Sequence, residues 1–279
     1  MIARRLVTRT MSAGAYYGFL AFVMIAALGP IVWIMVSSFK TNPQILSNGS
    51  FLPHPATAAG YRNVFTEVHL QTALVNTFIY AAGGTAGAVL AGFLAAYPTS
   101  RLTFPGRHLM TVVFSVALAV PIVGLIVPEF FIEKDLGLFD SKLGLILFYA
   151  AMFFPLSFVI QRAFLVSLPF EIEEAAMLDG AGYFKILGRV VAPLAVPGLA
   201  TVAVLVFIFI WNEYFFAQLL TISFGNLNIQ VTLAEFRSAF QRDTTAQLAG
   251  TTIAMLVPIT AFLGLQRYVI AGLTAGSSR

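Results

Sequence analysis

Six stretches of the 279-residue chain are almost entirely apolar and long enough to cross a membrane. A transmembrane helix needs about 20 such residues, because each one advances it about 1.5 Å through a hydrocarbon core ~30 Å thick. The stretches lie at about 14–36, 72–97, 109–131, 144–165, 198–220 and 249–270. The pattern therefore predicts an all-α integral membrane protein with six transmembrane helices.

Glycine and proline are frequent within the predicted helices. Small residues recur at four-residue spacing, which predicts faces that let another helix approach closely; they are Gly83 with Gly87, and Gly84 with Ala88 and Gly92. Prolines predict kinks or breaks, because proline has no N–H and displaces the carbonyl four residues earlier. These prolines are Pro121, Pro128, Pro155 and Pro258. We expect bent helices around an internal cavity.

Basic residues indicate which helix ends face the cytoplasm, where loops carry an excess of lysine and arginine. The N-terminal side holds ten, namely Arg4, Arg5, Arg9, Arg101, Arg107, Arg162, Lys185, Arg189, Arg267 and Arg279. The other side holds six, namely Lys40, Arg62, Lys134, Lys142, Arg237 and Arg242. Both termini are therefore predicted to be cytoplasmic. The first stretch is too long for a cleaved signal and is interpreted as a retained helix.

The composition and the motifs of the chain exclude several classes of protein and of chemical site. Hydrophobic residues make up 59% of the chain and charged residues 10%, which excludes an ordinary soluble domain. The absence of cysteine excludes disulfides and thiolate-bound metals. His54, His69 and His108 are scattered without metal-site spacing, and no hydrolase signature occurs. No GxxxxGK[ST] phosphate loop occurs either, so we expect no ATP hydrolysis by this chain.

A short acidic segment, Glu171 to Gly180, lies between the fourth and fifth predicted helices, on the predicted cytoplasmic side. Three glutamates suit the positive end of a helix dipole, and Gly180 suits the left-handed position that ends a helix. We predict a helix of about three turns. By itself the segment is either an amphipathic connector on the membrane surface or an element held by a partner outside the membrane.

Polar residues interrupt the fifth apolar stretch at Trp211, Asn212, Glu213 and Tyr214. A carboxylate within a membrane helix is costly unless it faces a cavity, a partner or the interface. These residues therefore either line a translocation path or mark the outer interface, where tryptophan and tyrosine collect. Asn76, near the start of the second stretch, leaves the same two interpretations open.

The acidic segment is similar to a known sequence signature. Glu174 to Ala176 with Gly180, and Pro193 further on, resemble the EAA signature of the membrane subunits of bacterial ATP-binding-cassette importers. Val190 and Ala192 stand where that signature has isoleucine and leucine, and both keep an apolar face. Five other segments resemble carbohydrate-uptake permeases, especially the maltose-transporter G type: 30–40, 101–107, 135–140, 211–216 and 266–276. The last residues, 277–279, depart from the usual ending.

The resemblance implies a type I importer permease fold with a cytoplasmic coupling helix between spans four and five. It divides the chain into 1–71, with the N-terminal tail, first span and outer loop; the transporter core 72–270, with a coupling loop at 167–197; and a cytoplasmic tail, 271–279. It implies a place in the bacterial inner membrane. The implied function is import of a carbohydrate or related polyol, such as a sugar, oligosaccharide, amino sugar or glycerol phosphate.

The implied partners are a second permease subunit, two ATPase subunits that bind ATP and Mg, and an extracytoplasmic solute-binding protein. Nucleic acid is not among them, and no cofactor is expected on this chain. The residues implied to couple to the ATPase are Glu173, Glu174, Ala175, Ala176, Met177, Leu178, Asp179, Gly180, Gly182 and Pro193. Those of the outer loop at about 223–247 implied to touch the binding protein are Asn226, Asn228, Gln230, Glu235 and Arg237, with Arg242 nearby. The residues themselves fit a long exposed loop equally well.

Two other classes of membrane protein have different sequence requirements. An ion-driven secondary transporter needs charges poised within the membrane and usually has inverted repeats. Only Glu213 is clearly placed inside a predicted span, and no internal repeat is visible. A membrane enzyme needs a catalytic set that the chain lacks. An ATP-driven permease subunit is therefore the favoured prediction, with ion-driven transport as the alternative.

Overall fold

The structure, a computed structural model, describes residues 2–47, 50–67, 69–239 and 243–275, and their side chains except at 2–13, 237–239, 265 and 267–275. Over these residues the chain forms helices and no β-strand. The first helices are α1 (Ile2–Ser37), α2 (Asn42–Leu46), α3 (Ala59–Thr66), α4 (Leu70–Arg101), α5 (Arg107–Val116), α6 (Ile126–Asp135) and α7 (Lys142–Ser167). The others are α8 (Glu171–Leu178), α9 (Tyr183–Ile186), α10 (Ala192–Trp211), α11 (Phe215–Leu220), α12 (Ile229–Ala239) and α13 (Thr244–Ala275).

Five helical segments among the described residues are long and apolar enough to cross a membrane. They are Gly14–Ser37, Leu70–Arg101, Lys142–Ser167, Tyr183–Trp211 and Thr244–Gly264. A sixth is reached when the bent pair Arg107–Ala119 and Ile122–Asp135 counts as one span. The all-α membrane class predicted from the apolar pattern is confirmed.

The third predicted helix, 109–131, is not continuous. Its two halves meet at 97° around Val120 and Pro121, both of which have extended backbone. Proline cannot donate to the carbonyl four residues earlier and pushes the residue before it out of the helical region. Pro121 therefore breaks the helix, whereas Pro155 and Pro258 lie inside the continuous helices α7 and α13.

The fifth predicted helix, 198–220, is also wrong as a single helix. The apolar segment begins earlier, at Tyr183, and passes through a π-helical turn at Leu187–Val191 into α10. It then ends at Trp211, and the short helix α11 follows only after a break at 212–214. Asn212, Glu213 and Tyr214 therefore lie in a break, whereas Trp211 is the last residue of α10.

The chain forms two compact units. The first comprises Met1–His69 and Leu233–Ile253. In it, the Asp243 carboxylate accepts hydrogen bonds from the side-chain amides of Asn42 and Asn63, at 3.3 and 3.0 Å. The same carboxylate accepts from the Ala246 backbone N–H at 3.0 Å, so it also caps the start of α13.

The second unit comprises Leu70–Thr232 and Ala254–Arg279, and its centre is the contact between α4 and α7. A Cβ atom at Gly92 would lie 2.5 Å from the Ser157 hydroxyl, and one at Gly87 would lie 2.7 Å from Ala150. Larger residues at these positions would separate the helices. The predicted close approach through small residues is thus confirmed.

Two clusters of buried side chains lie in the second unit. One joins α4, α7 and α10 to α11, and contains Tyr80, Tyr149, Ile210, Trp211 and Phe216. The other joins α4 and α7 to the segment after α8, and contains Tyr97, Phe158, Leu165, Ile186 and Val191. Val190 and Ala192, the two departures from the EAA signature, pack against this second cluster.

Candidate functional site

The EAA segment, residues 171–182, forms a short helix and a tight stop. Helix α8 spans eight residues, about two turns instead of the predicted three. Glu171, Glu173 and Glu174 occupy its first turn, where the helix dipole favours negative charge. Ala175 is exposed, and Ala176 packs partly against the second buried cluster.

Gly180 ends this helix in the left-handed conformation, at φ +78°. The Gly180 N–H donates to the Met177 carbonyl at 3.0 Å, and the Ala181 N–H donates to the Ala176 carbonyl at 3.0 Å. This pair of bonds is a Schellman motif, which satisfies carbonyls left free at the helix end. The chain then passes through Gly182, whose backbone is extended, into α9.

Substituting Gly180 by alanine tests this stop. A Cβ atom meets nothing within 4 Å there, so the effect isolates the backbone strain of a positive φ. We expect a loss of about 1–2 kcal/mol, seen as a fall of roughly 2–8 °C in the melting temperature of the detergent-solubilised protein. Gly182→Ala is the matched control, because its φ is −74° and its surroundings are equally open; an equal fall in both variants would refute the strain.

Glu173 points into the protein and is only 2% exposed. Its carboxylate lies 2.7 Å from the Arg101 Nε and accepts a hydrogen bond from the Tyr97 hydroxyl at 3.1 Å. The Arg101 guanidinium also donates to the Leu168 carbonyl at 2.9 Å and lies over the Phe170 ring. The EAA segment is therefore attached to the end of α4 by a buried ion pair.

Other side chains of the segment point outward. Leu178 is 90% exposed and Phe184, just beyond Gly182, is 92% exposed. Ile172, Met177 and Tyr183 are also exposed, as are Glu174 and Asp179. We call Leu178 and Phe184, with Tyr183 between them in the chain, the apolar tip. Exposed apolar groups that lie close together are typical of surfaces that bind another protein.

The break at 212–214 is organised by Glu213. Its carboxylate accepts hydrogen bonds from the backbone N–H groups of Phe216 and Ala217, at 2.8 and 3.1 Å, and from the Tyr149 hydroxyl at 2.7 Å. Glu213 therefore caps the start of α11, although glutamate is not a usual capping residue. The sequence shows the carboxylate but not the helix start that it stabilises.

The other residues predicted for a translocation path are placed differently from one another. Asn76 and Trp211 are each 1% exposed, and the Trp211 indole N–H donates to the Ala254 carbonyl at 2.9 Å. Asn212 is exposed and bonds back to its own helix, and Tyr214 is exposed. The structure thus brings Asn212 and Tyr214 to a surface but keeps Asn76 and Trp211 inside.

The sequence of this chain is similar to those of known proteins. Residues 88–274 match the family described as binding-protein-dependent transport system inner membrane component. This match covers more than half of the chain and includes the EAA segment and the break at 212–214. The chain belongs to this family. It is thus a membrane-embedded transport component, as its resemblance predicts.

Several relatives in this family align over nearly the whole chain. A trehalose transport system permease protein of Mycobacterium tuberculosis, SugB, is 36% identical over 253 residues, covering 90% of this chain and 92% of the relative. A trehalose/maltose transport system permease protein of Thermococcus litoralis, MalG, is 33% identical over 258 residues, covering 91% and 92%. The predicted kinship with sugar permeases of this type is confirmed.

A solved structure shows the same fold. It is a chain of a bacterial ABC transporter involved in the import of the acidic polysaccharide alginate. The TM-score is 0.80 at 24% sequence identity, with 93% of this chain and 96% of that chain covered. The predicted permease fold is therefore confirmed.

The outer loop of this permease is fixed by its polar residues. Asn228 is buried, and its amide donates to the Glu213 carbonyl at 2.7 Å. Asn226 donates to Asp140, and Gln230 donates to the Trp211 carbonyl at 3.4 Å. Ile222 and Phe224 are exposed large apolar residues at the start of the loop, and the sequence does not single them out. Glu235 lies in α12 and is half-buried, whereas the Arg237 side chain and Arg242 lie outside the described residues.

Asp140 is the main anchor of this loop, and the sequence assigns it no role. Its carboxylate accepts from the backbone N–H groups of Ile222 and Ser223, at 2.9 and 3.0 Å, and from the Ser223 hydroxyl. Burial alone would raise the pKa of the Asp140 carboxyl, but hydrogen bonds from Ser223, Ile222 and Asn226 outweigh burial and lower that pKa from 3.8 to about 2. The folded protein therefore favours the charged form.

Asp140→Asn should weaken the outer loop at neutral pH. Asparagine tolerates the left-handed backbone found here, at φ 54°, so the change mainly removes the charge and one acceptor oxygen. We expect a fall in melting temperature of roughly 2–4 °C, corresponding to about 1 kcal/mol. The charged form stabilises above the unfolded pKa of about 3.9, so the gap between wild type and variant should shrink below pH 4 and vanish towards pH 2.

The exposed Asp135→Asn serves as the control in the same pH series. A gap between wild type and Asp140→Asn that stayed constant down to pH 2 would contradict the role of the charge.

Proposed function

We propose that this permease subunit serves an ATP-driven, binding-protein-dependent importer of a carbohydrate or related polyol. The observation that carries the proposal is the EAA segment, which is anchored inside the protein through Glu173 and presents the apolar tip outside. A segment fixed at one face and exposed at the other can transfer force from a bound partner to the membrane helices. Family membership supports the same assignment.

In this proposal the apolar tip and the acidic Glu174 and Asp179 contact an ATPase subunit. ATP and Mg are bound on that subunit, where the ATP is hydrolysed, because this chain has no phosphate-binding loop. Ala175 permits close approach, and the stop at Gly180 holds Leu178 at the end of the helix. Pro193, exposed at the start of α10, lies behind the contact and fixes where the next span begins.

The complete assembly would contain a second permease subunit, two ATPase subunits and an extracytoplasmic solute-binding protein. The loop tip at Ile222 and Phe224 would contact the binding protein, while Asn226, Asn228 and Gln230 hold its shape. The excess of basic residues on one side supports a cytoplasmic location for both termini and for the EAA segment. The membrane would be the bacterial inner membrane.

The carbohydrate class is supported by the relatives, whose names cite trehalose, maltose and diacetylchitobiose. Asn212 and Tyr214 would face the path, since they are the exposed members of the predicted set. Glu213 would shape the break from behind them, and Trp211 and Asn76 would support the wall. Aromatic and amide groups are suited to stacking on sugar rings and to bonding their hydroxyls.

Transport by the reconstituted assembly tests the proposal. The chain would be copurified with its candidate partners, placed in vesicles, and offered a panel of radiolabelled sugars on the cognate binding protein. We expect uptake only with ATP and Mg on the ATPase side, and no change when an ionophore removes ion gradients. Uptake that continued without ATP and stopped with the ionophore would instead favour the ion-driven alternative.

A further inference from the structure

Helix α4 is fixed at its outer end to the backbone of the outer loop. The Asn76 side-chain amide donates to the Gly225 and Leu227 carbonyls, at 2.8 and 3.0 Å. The Tyr80 hydroxyl donates to the Asn226 carbonyl at 2.6 Å, and Lys142 donates to the Asn76 oxygen at 2.7 Å. Asn76 is buried and has partners for both its amide nitrogen and its oxygen.

The inner end of the same helix is fixed to the EAA segment. Arg101, its last residue, and Glu173 form an ion pair in which the side chains are 8% and 3% exposed. Tyr97, one turn earlier, donates to the same carboxylate. A charged pair buried in this way resists separation, because either partner alone would leave an uncompensated charge.

The EAA segment and the outer loop are connected in two ways, through α4 and along the chain, and the connection through α4 is the more regular. From α8 to the outer loop the chain passes through the π-helical turn at Leu187–Val191 and the break at 212–214. Such irregularities are places where a helix can bend. By contrast, α4 is one continuous helix of 32 residues, about 48 Å long, and it packs closely on α7. Its one proline, Pro98, lies in the last turn, between Tyr97 and Arg101.

We infer that α4 transmits movement between the outer loop and the EAA segment as one stiff element. Asn76 at its outer end and the Arg101–Glu173 pair at its inner end are the positioning residues. The inference rests on the proposed function, since that function places a binding protein at one end and an ATPase at the other. Loaded binding protein would reach the ATPase through α4, and the ATPase would act on the outer loop by the same route.

Glu173→Gln in the complete assembly tests the inner end. The variant keeps the shape of the side chain and removes the charge that faces Arg101. We expect the ratio of ATP hydrolysis with loaded binding protein to hydrolysis without it to fall at least tenfold, while the ATPase still copurifies. Glu171→Gln, at an exposed glutamate in the same turn, is the matched control and should keep the wild-type ratio.

Two further variants distinguish transmission of movement through α4 from a local disturbance of the EAA segment. Arg101→Glu combined with Glu173→Arg reverses the pair and should restore at least a third of the wild-type ratio. Asn76→Ala changes only the far end of α4, yet it should lower the same ratio several-fold without affecting ATPase copurification. Adding Asn76→Ala to Glu173→Gln should lower the ratio by less than the product of the two separate effects, since both act through one element.

A wild-type ratio in Glu173→Gln with the assembly intact would overturn the inference. So would a normal ratio in Asn76→Ala. Failure of the proposed function looks different, because the wild-type chain would then show no ATP-dependent uptake in any assembly.

Discussion

Replacing Leu178 and Phe184 together by aspartate should abolish ATPase binding and sugar uptake. Burial of a leucine or phenylalanine side chain contributes about 1.5–3 kcal/mol, so losing two such contacts removes roughly 3–6 kcal/mol. Every 1.4 kcal/mol is a factor of ten in affinity, which predicts binding at least 100-fold weaker. Because both side chains are almost fully exposed in the chain by itself, folding should be unaffected.

Copurification of the ATPase from detergent extracts measures this effect, and uptake into vesicles measures its consequence. Leu136→Asp is a suitable control, because Leu136 is an exposed apolar residue directly after α6 and before the start of α7, whereas the apolar tip follows the end of α7. That variant should bind the ATPase normally. Normal copurification by the Leu178 and Phe184 double variant would show that the apolar tip is not the ATPase contact.

Glu213→Ala should be the most destabilising single substitution in the break. It leaves the Phe216 and Ala217 N–H groups and the Tyr149 hydroxyl without their acceptor. An unsatisfied buried donor costs about 1–3 kcal/mol, and Tyr149, Phe216 and Ala217 are all at most 3% exposed. We therefore expect a loss of roughly 3 kcal/mol or more in the free energy of unfolding.

Unfolding by SDS in mixed micelles, followed by tryptophan fluorescence, measures this loss. Asn212→Ala is the matched neighbour, since Asn212 is exposed and bonds only within its own helix turn; it should change stability by less than about 0.5 kcal/mol. Glu213→Gln should lie between the two, because glutamine keeps one acceptor oxygen. Equal stability of wild type and Glu213→Ala would contradict the capping role.

The features that sequence predicts well are those set by a few neighbouring residues. The first, second and fourth spans depend on continuous apolar runs, and each agrees with the structure within a few residues. Gly180 stops α8 where its lack of a side chain indicates. The family resemblance also depends on local strings such as Glu174 to Ala176, and the relatives align over nearly the whole chain.

The features that sequence does not predict depend on distant partners. Glu213 caps α11 only because the helix before it ends at Trp211, which an unbroken apolar run conceals. Glu173 and Glu174 are chemically identical neighbours, yet one pairs with Arg101 inside and the other is exposed. Asp140 acquires its role from a loop 82 or more residues away. A single sequence does not show which distant residues contact each other in the folded protein.

The outer end of α4 also constrains how the protein is made. Asn76 enters the membrane early in synthesis, but the carbonyls that its amide binds lie 149 and 151 residues later in the chain. At ~5–20 residues per second, that delay lasts on the order of ten seconds or more. Throughout this interval α4 holds an amide with no final acceptor in an apolar surrounding. The nascent helix must therefore wait at the insertion site, beside water or the insertion machinery, until α10 and the outer loop arrive.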